Sequence, residues 1–313
     1  AWQRLGDDAE LPGRAALDKL KILTARDRRE EASLIALCLR EVLETPEKTA
    51  ALITPDRPLA ELVIAELQRW DITIEDSAGR PLASTPTGKF LQLLANAMAD
   101  DLAPLSLLAL LKHAYAAGGI KRLDFQTKLT DLELAVLRGA RPSIPGIDGL
   151  IAAAPTDALR NFVKQHIAVP LHPLCAAWRA ANPTLASLMA GLAETAELLA
   201  ADETNPASGQ PDRGQGALRL WDGVDGQAAA RLLADIEIDG RDFEIAADDL
   251  PQILQQIFET ETVHPHGSPH PRLAILGAVE ARMQSADCII IAGFNEGNWP
   301  PRPTADPWMN TKM

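Results

Sequence analysis

Aromatic residues are scarce: six Trp, six Phe and one Tyr make up 4% of the 313 residues. With Ala and Leu in long runs, that shortage leans the chain toward helix. Cysteine is nearly missing too. Cys38, Cys175 and Cys288 lie far apart in apolar surroundings, which argues against a disulfide framework or a cysteine-ligated metal and for reduced core thiols. No apolar run reaches the roughly 18 residues that a membrane-spanning helix needs, and no signal-peptide pattern opens the chain. The compartment expected is the cytoplasm. Basic residues are outnumbered, 30 Lys and Arg against 43 Asp and Glu, for a net charge of −13. Such a surface is poorly suited to non-specific nucleic-acid binding over its whole extent, although a local basic patch is compatible with it. No fixed-period repeat is visible, so a helical solenoid is not indicated.

The apolar content of 47% is that of a globular core, and the length suits one large or two ordinary domains. The chain opens at Ala1 and stops at Met313 shortly after a Pro-rich stretch, and is expected to be an internal piece of a longer protein. Residues 1–18 read as a polar lead-in. "KLKILTARD" (19–27) reads as a short strand and turn. "RREEASLIALCLREVLETP" (28–46) is an amphipathic helix, with Ala32, Ile35, Ala36, Leu39 and Val42 on one stripe. "TAALITPD" (49–56) is an all-apolar strand entering a turn, as in a parallel sheet buried on both faces. "PLAELVIAELQRWD" (58–71) is a second helix with Pro58 in its first turn, and "ITIED" (72–76) a brief strand. That β-α-β-α-β order predicts a parallel α/β sheet.

From about residue 88 to 260 the periodic segments are helical. Two Pro- and Gly-rich breaks interrupt them, "RPSIPGIDG" (141–149) and "ETNPASGQPDRGQG" (203–216), and the second reads as the most mobile linker. After "VHPHGSPHP" (263–271) the strands return as "RLAILG" (272–277) and "DCIIIAG" (287–293), the latter read as a central strand. The expectation is an α/β domain whose two parts, 1–88 and 262–313, are separated by a helical insertion at 89–261.

Few motifs carry chemistry. "ASTPTGKF" (83–90) fails as a phosphate loop. The loop needs G-x-x-x-x-G-K-[ST], and Ala83 stands at the first glycine and Phe90 at the hydroxyl. A capped helix start near Gly88 is the better reading. His264, His266 and His270 cluster in an irregular connector without cysteine or carboxylate partners, and read as a linker rather than a metal site. Asp222 and Asp225 lie in a Gly-rich turn that lacks the ligand count of a calcium loop. No Ser/His/Asp or Cys/His set is arguable, so no catalytic residue is assigned. Two turns remain, "TPDR" (54–57) and "GFNEGNWPP" (293–301). Both follow carboxyl ends of strands expected to be parallel, where such sheets hold their ligands.

The order of "ARDRREEASLIALCLREVL", "ALITPDRPLAELVIAELQRWDI", a helical insertion and "RLAILGAVEARMQSADCIIIAGFNEGNWPPRPTADPW" resembles the second motor domain of the UvrD/Rep-type helicases. It is more similar still to the AddB-type subunits of the AddAB helicase–nucleases of double-strand-break repair. The resemblance covers most of the chain, well at 19–90 and 262–310, loosely in between. It implies a RecA-like fold interrupted by an accessory domain. It also implies DNA contacts by Thr54, Asp56, Arg57 and Arg282, and an interdomain-cleft loop carrying Asn295, Glu296 and Trp299. The implied partners are an AddA-like motor subunit and DNA ends, with ATP and magnesium used by the full complex but not held by this piece.

Departures matter as much. Where active helicases of the family have Thr and His, then Lys-Gly-Leu-Glu-Phe-Asp, this chain has Gly277 and Val279, then Arg282, Met283 and Ser285, keeping the basic residue and Asp287. Serine cannot replace the glutamate that touches the nucleotide sugar. The resemblance therefore implies a non-motor module that holds DNA. An acidic docking module for the motor subunit is the second expectation. An active ATP-driven helicase is the third, opposed by the lack of a phosphate loop.

Overall fold

The structure, a computed structural model, describes residues 19–138, 146–264 and 269–299. In chain order the elements are α1 (Arg28–Leu43), β1 (Ala50–Ile53), α2 (Arg57–Gln68), β2 (Glu75–Asp76) and β3 (Arg80–Pro81). Ten helices follow: α3 (Pro86–Ala99), α4 (Pro104–Lys112), α5 (Arg122–Leu132), α6 (Gly146–Ala153), α7 (Asp157–Val163), α8 (Val169–Trp178), α9 (Leu185–Ala200), α10 (Arg213–Leu220), α11 (Gly223–Asp239) and α12 (Leu250–Thr260). The last elements are β4 (Thr262–Val263), β5 (Leu273–Leu276) and β6 (Cys288–Ile291). The protein is α/β. Its chain divides into two compact units, one built from residues up to Ala78 and from Gly267 onward, the other from Gly79–His266. Residues 79–88, counted with the first domain from sequence, pack in the second unit.

The first unit holds a four-stranded parallel sheet in the order β2-β5-β1-β6. Segments more than 200 residues apart therefore share one layer, with Leu52 opposite Ile275 on one side and Ile290 on the other. Register puts Ala50, Leu52, Leu273 and Ile275 on one face. They form a core with Ala32, Ile35, Ala36 and Leu39 of α1 and Leu59, Ala60, Val63 and Leu67 of α2. Each helix starts where its sequence dictates. Asp27 accepts from Glu30 N at 2.9 Å and Asp56 from Leu59 N at 3.1 Å, both as N-caps. At the other end of α1 the Arg272 guanidinium donates to the carbonyls of Leu43, Thr45 and Lys48, at 3.1, 2.8 and 3.2 Å. A cation thus satisfies the last carbonyl of the helix and two carbonyls beyond it, and tethers the helix end to the base of β5. Beside it, Asp287 accepts from both the N–H and the hydroxyl of Thr49 at 2.9 Å. Those two bonds hold the Asp287 carboxyl below its ordinary pKa.

Two expectations for this unit fail. Residues 20–25 form no strand, and Leu20, Ile22 and Leu23 are exposed. Their apolar content suggests a strand, but no partner strand lies beside them among the described residues. And β6 is not central: its only strand neighbour there is β1. Its four apolar residues read as doubly buried, yet they alternate, with Ile289 and Ile291 52% and 54% exposed. An edge strand covered on one face accounts for that pattern.

The second unit is helical and has its own core, which includes Phe90, Phe125, Phe162 and Phe258. Its first and last elements, β3 and β4, pair antiparallel. Thr85 caps α3 through Gly88 N at 3.0 Å, so the "TPTG" stretch is a helix start. Gly88 lets that start close: a Cβ there would lie 1.9 Å from Leu82 O. α5 and α7 each end in a widened π turn, Glu133–Leu137 and Lys164–Ala168. Buried Glu133 is held by Lys112 at 2.6 Å and Arg138 at 3.1 Å, which keep its carboxyl below the ordinary range, Lys112 most strongly.

The 203–216 segment corrects its reading as a mobile linker. Thr204 and Pro211 form an antiparallel bridge, Asn205 N bonds Gln210 O, and Asp212 N bonds Glu203 O. The segment then enters α10, which the sequence reading absorbed into the linker because Gly214 and Gly216 look like breakers. Instead Gly216 is where α10 touches α9: a Cβ there would lie 1.8 Å from Glu197 O. Buried Glu197 fixes the same crossing, accepting from Arg213 at 2.5 Å and from the Trp221 indole at 2.8 Å. Helix α6 was likewise hidden in the 141–149 break, of which residues 141–145 lie outside the described residues.

Candidate nucleic-acid interface

Parallel strands end on the same edge of a sheet, and here three turns meet on it: the one after β1 (54–57), the one after β5 (277–283) and the one after β6 (293–299). The amino ends of α1 and α2 lie there too. Arg28 of α1 donates to Asp56 at 3.1 Å, and Glu31 of α1 accepts from Gly293 N at 2.8 Å.

Thr54 is 1% exposed. Its hydroxyl accepts from Asp56 N at 3.1 Å and its own N–H bonds Leu276 O at 3.2 Å. Asp56 is buried, one oxygen capping α2 and the other on Arg28. Arg57 forks onto both carboxylate oxygens of Asp76 at the end of β2. Thr54 and Asp56 are therefore internal braces of the edge, and Arg57 is tied across it. Gly293 adopts φ +66°, and a Cβ there would come within 3.1 Å of Asp56 Cβ and 3.3 Å of Thr54 Oγ1. This is what the glycine in the elbow does: it lets the strand β6 turn directly against the Thr54–Asp56 turn.

The loop beyond the glycine is compact. Asn295 O accepts from Asn298 N at 3.0 Å and Trp299 N at 3.1 Å, and the Trp299 indole donates to Ala292 O at 3.2 Å. That bond orients the ring, which stacks on Phe294 with centroids 6.1 Å apart. Phe294 is 73% exposed, and Asn295 and Glu296 are exposed beside it. Pro300 and Pro301 lie outside the described residues. Arg282 is exposed in the 3₁₀ turn Glu280–Met283 after β5.

Three arginines that sequence reasoning passed over line the same edge. Arg26, Arg28 and Arg29 flank the start of α1, and their signal was the Arg-Asp-Arg-Arg run just before an amphipathic helix. Arg26 pairs with Glu30 at 3.0 Å, and its guanidinium is the main cause that lowers the Glu30 pKa. Asp27 is lowered chiefly by the Glu30 N–H it caps. Both carboxylates are thus committed to the helix start. The side chains of Arg29 and Arg282 make no hydrogen bond or ion pair among the described residues.

No protein-family model and no curated protein matches this chain. What the edge does must therefore be argued from its own chemistry. It offers arginines, a stacked aromatic pair, carboxylates already engaged with backbone or arginine, and the exposed Glu280 and Glu296. Among the described residues no three His, Cys, Asp or Glu converge as a metal would need. No described helix is long and apolar enough to cross a membrane.

Proposed function

We propose that this chain is a helicase-like, non-motor module of the AddB type, cytoplasmic, that holds one strand of DNA on the carboxyl edge of a RecA-like sheet. The helical unit is then the inserted accessory domain, and an AddA-like motor subunit feeds the strand past it during double-strand-break repair. The observation that carries the reading is the pairing, on one sheet edge, of exposed arginines with the Phe294–Trp299 stack. Exposed arginines beside an exposed aromatic face suit single-stranded nucleic acid, because arginine neutralises phosphates while any base can stack on the ring. ATP and magnesium belong to the full complex. The residues here do not fit the nucleotide, since no G-x-x-x-x-G-K-[ST] occurs in the chain.

The test is single-strand binding by the full chain as salt is varied. Arg29→Ala with Arg282→Ala is expected to weaken binding and to flatten the log–log salt slope by about 1.4, at about 0.7 per phosphate contact on single strands. Phe294→Ala is expected to cost about 1–3 kcal/mol for the base stacked there. Unchanged slope and affinity in both variants contradict the reading. They would leave the second one, a docking module for the motor subunit without DNA contact, which the net charge of −13 favours.

A further inference from the structure

The acidic charge is concentrated on the helical unit at the end of α11 and the loop after it. Residues 235–244 read "DIEIDGRDFE", five carboxylates against one arginine. Asp235, Glu237, Asp239, Asp242 and Glu244 are all exposed, and none is in a salt bridge among the described residues. The last turn of α11 carries no basic residue, so its acids oppose the helix dipole.

A second feature is independent of the charge. Ile238 and Phe243 stand outward amid these carboxylates, each 60% exposed, while Ile236 and Ile245 turn inward onto the core. The loop that presents Phe243 is pinned. Phe243 O accepts from Leu185 N at 2.8 Å, Gly240 O from Ala186 N at 3.2 Å, and Ile245 N bonds Pro183 O at 3.1 Å. The aromatic ring is thus displayed on hydrogen-bonded backbone, in a short stretch of chain that also carries an exposed isoleucine and five exposed carboxylates.

We propose that this patch is a docking surface for a basic, amphipathic segment of a partner protein. The partner would place an apolar side chain on Ile238 and Phe243 and Lys or Arg on the surrounding carboxylates. The chemistry excludes the alternatives. Nucleic acid is repelled by the field. A discrete metal ion finds no three convergent ligands among the described residues. A solvated acidic face gives no reason to display Phe243. An apolar anchor inside a charged rim is how interfaces concentrate affinity and set specificity. This surface belongs to the helical unit and the sheet edge to the other, so the inference does not rest on the DNA reading.

The test uses the full chain and two fluorescently labelled peptides of equal positive charge. One carries a Leu-Trp pair within a Lys/Arg-rich sequence; in the other that pair is Ser-Ser. The Leu-Trp peptide is expected to bind about tenfold more tightly than the Ser-Ser control, and Ile238→Ala with Phe243→Ala is expected to erase that advantage. Asp239→Asn, Asp242→Asn and Glu244→Gln together are expected to weaken both peptides and flatten the salt dependence. All are surface changes, and the melting temperature of each variant confirms that it is folded. Equal binding of the two peptides, no binding of either, or affinities unmoved in the apolar variant would overturn the proposal. So would loss of single-strand DNA binding in these variants.

Discussion

Gly216→Ala and Gly88→Ala are each expected to destabilise the helical unit by about 3 kcal/mol, at the upper end of what overpacking a rigid contact costs. The sign is the reverse of the usual one. Alanine in a helix is ordinarily better than glycine by roughly 0.5–1 kcal/mol, because it loses less backbone freedom. Here the added methyl meets backbone. At 216 it would sit 1.8 Å from Glu197 O and 2.8 Å from Ala201 N, and at 88 it would sit 1.9 Å from Leu82 O. No side-chain rotation relieves either clash, so α10 must back away from α9, or α3 from its own entry turn. The Gly216 change also strains the Arg213–Glu197–Trp221 hydrogen bonds that fix the crossing. Gly209→Ala is the control: its φ is +68° but nothing lies within 4 Å, so only the backbone strain of about 1 kcal/mol applies. Thermal denaturation of the three variants measures this. If all three melt together, the helices do not cross as closely as described.

Asp56→Ala is expected to cost the sheet unit about 2–3 kcal/mol. Loss of an N-cap contributes about 1 kcal/mol, and loss of a buried, charge-assisted bond to Arg28 roughly another 1–2 kcal/mol. Asp56→Asn separates the two: its side-chain oxygen still caps α2, so the loss falls to about 1 kcal/mol. The same pair bears on the role of this residue, which the sequence placed among the DNA contacts. A carboxylate that is buried, caps a helix and holds Arg28 acts as a brace. Asp56→Asn is therefore expected to leave single-strand affinity intact, or to raise it slightly by releasing Arg28 toward the solvent. A large drop in affinity for folded Asp56→Asn would return Asp56 to the contact surface.

How much of this was legible in the sequence follows from range. The stripes of α1 and α2, the apolar run of β1 and the returning strands are local patterns, and the sheet that β1, β5 and β6 share was foreseeable from them. The edge position of β6 was not, because "CIII" is as apolar as a doubly covered strand and only its neighbours decide how much of it is buried. The bare 20–25 segment failed for the same reason. Gly214 and Gly216 looked like punctuation because composition cannot distinguish a glycine that frees a loop from one that lets two helices touch. At the sheet edge, sequence identified the turns by their position after strands. It missed that Asp56 and Arg57 are engaged, since their partners Arg28 and Asp76 stand 28 and 19 residues away. It also passed over Arg26 and Arg29, whose importance depends on α1 beginning at the same edge as the turns.

The most direct test of the account is amide hydrogen exchange of the full chain with and without single-stranded DNA. Protection is predicted in four separated stretches at once, 25–31, 54–59, 277–283 and 293–299, because the fold brings them to one edge. Peptides at the opposite end of the sheet, 43–49 and 269–273, should be unchanged. Protection confined to the helical unit, or to the amino ends of the strands, or found nowhere despite measurable binding, would contradict it.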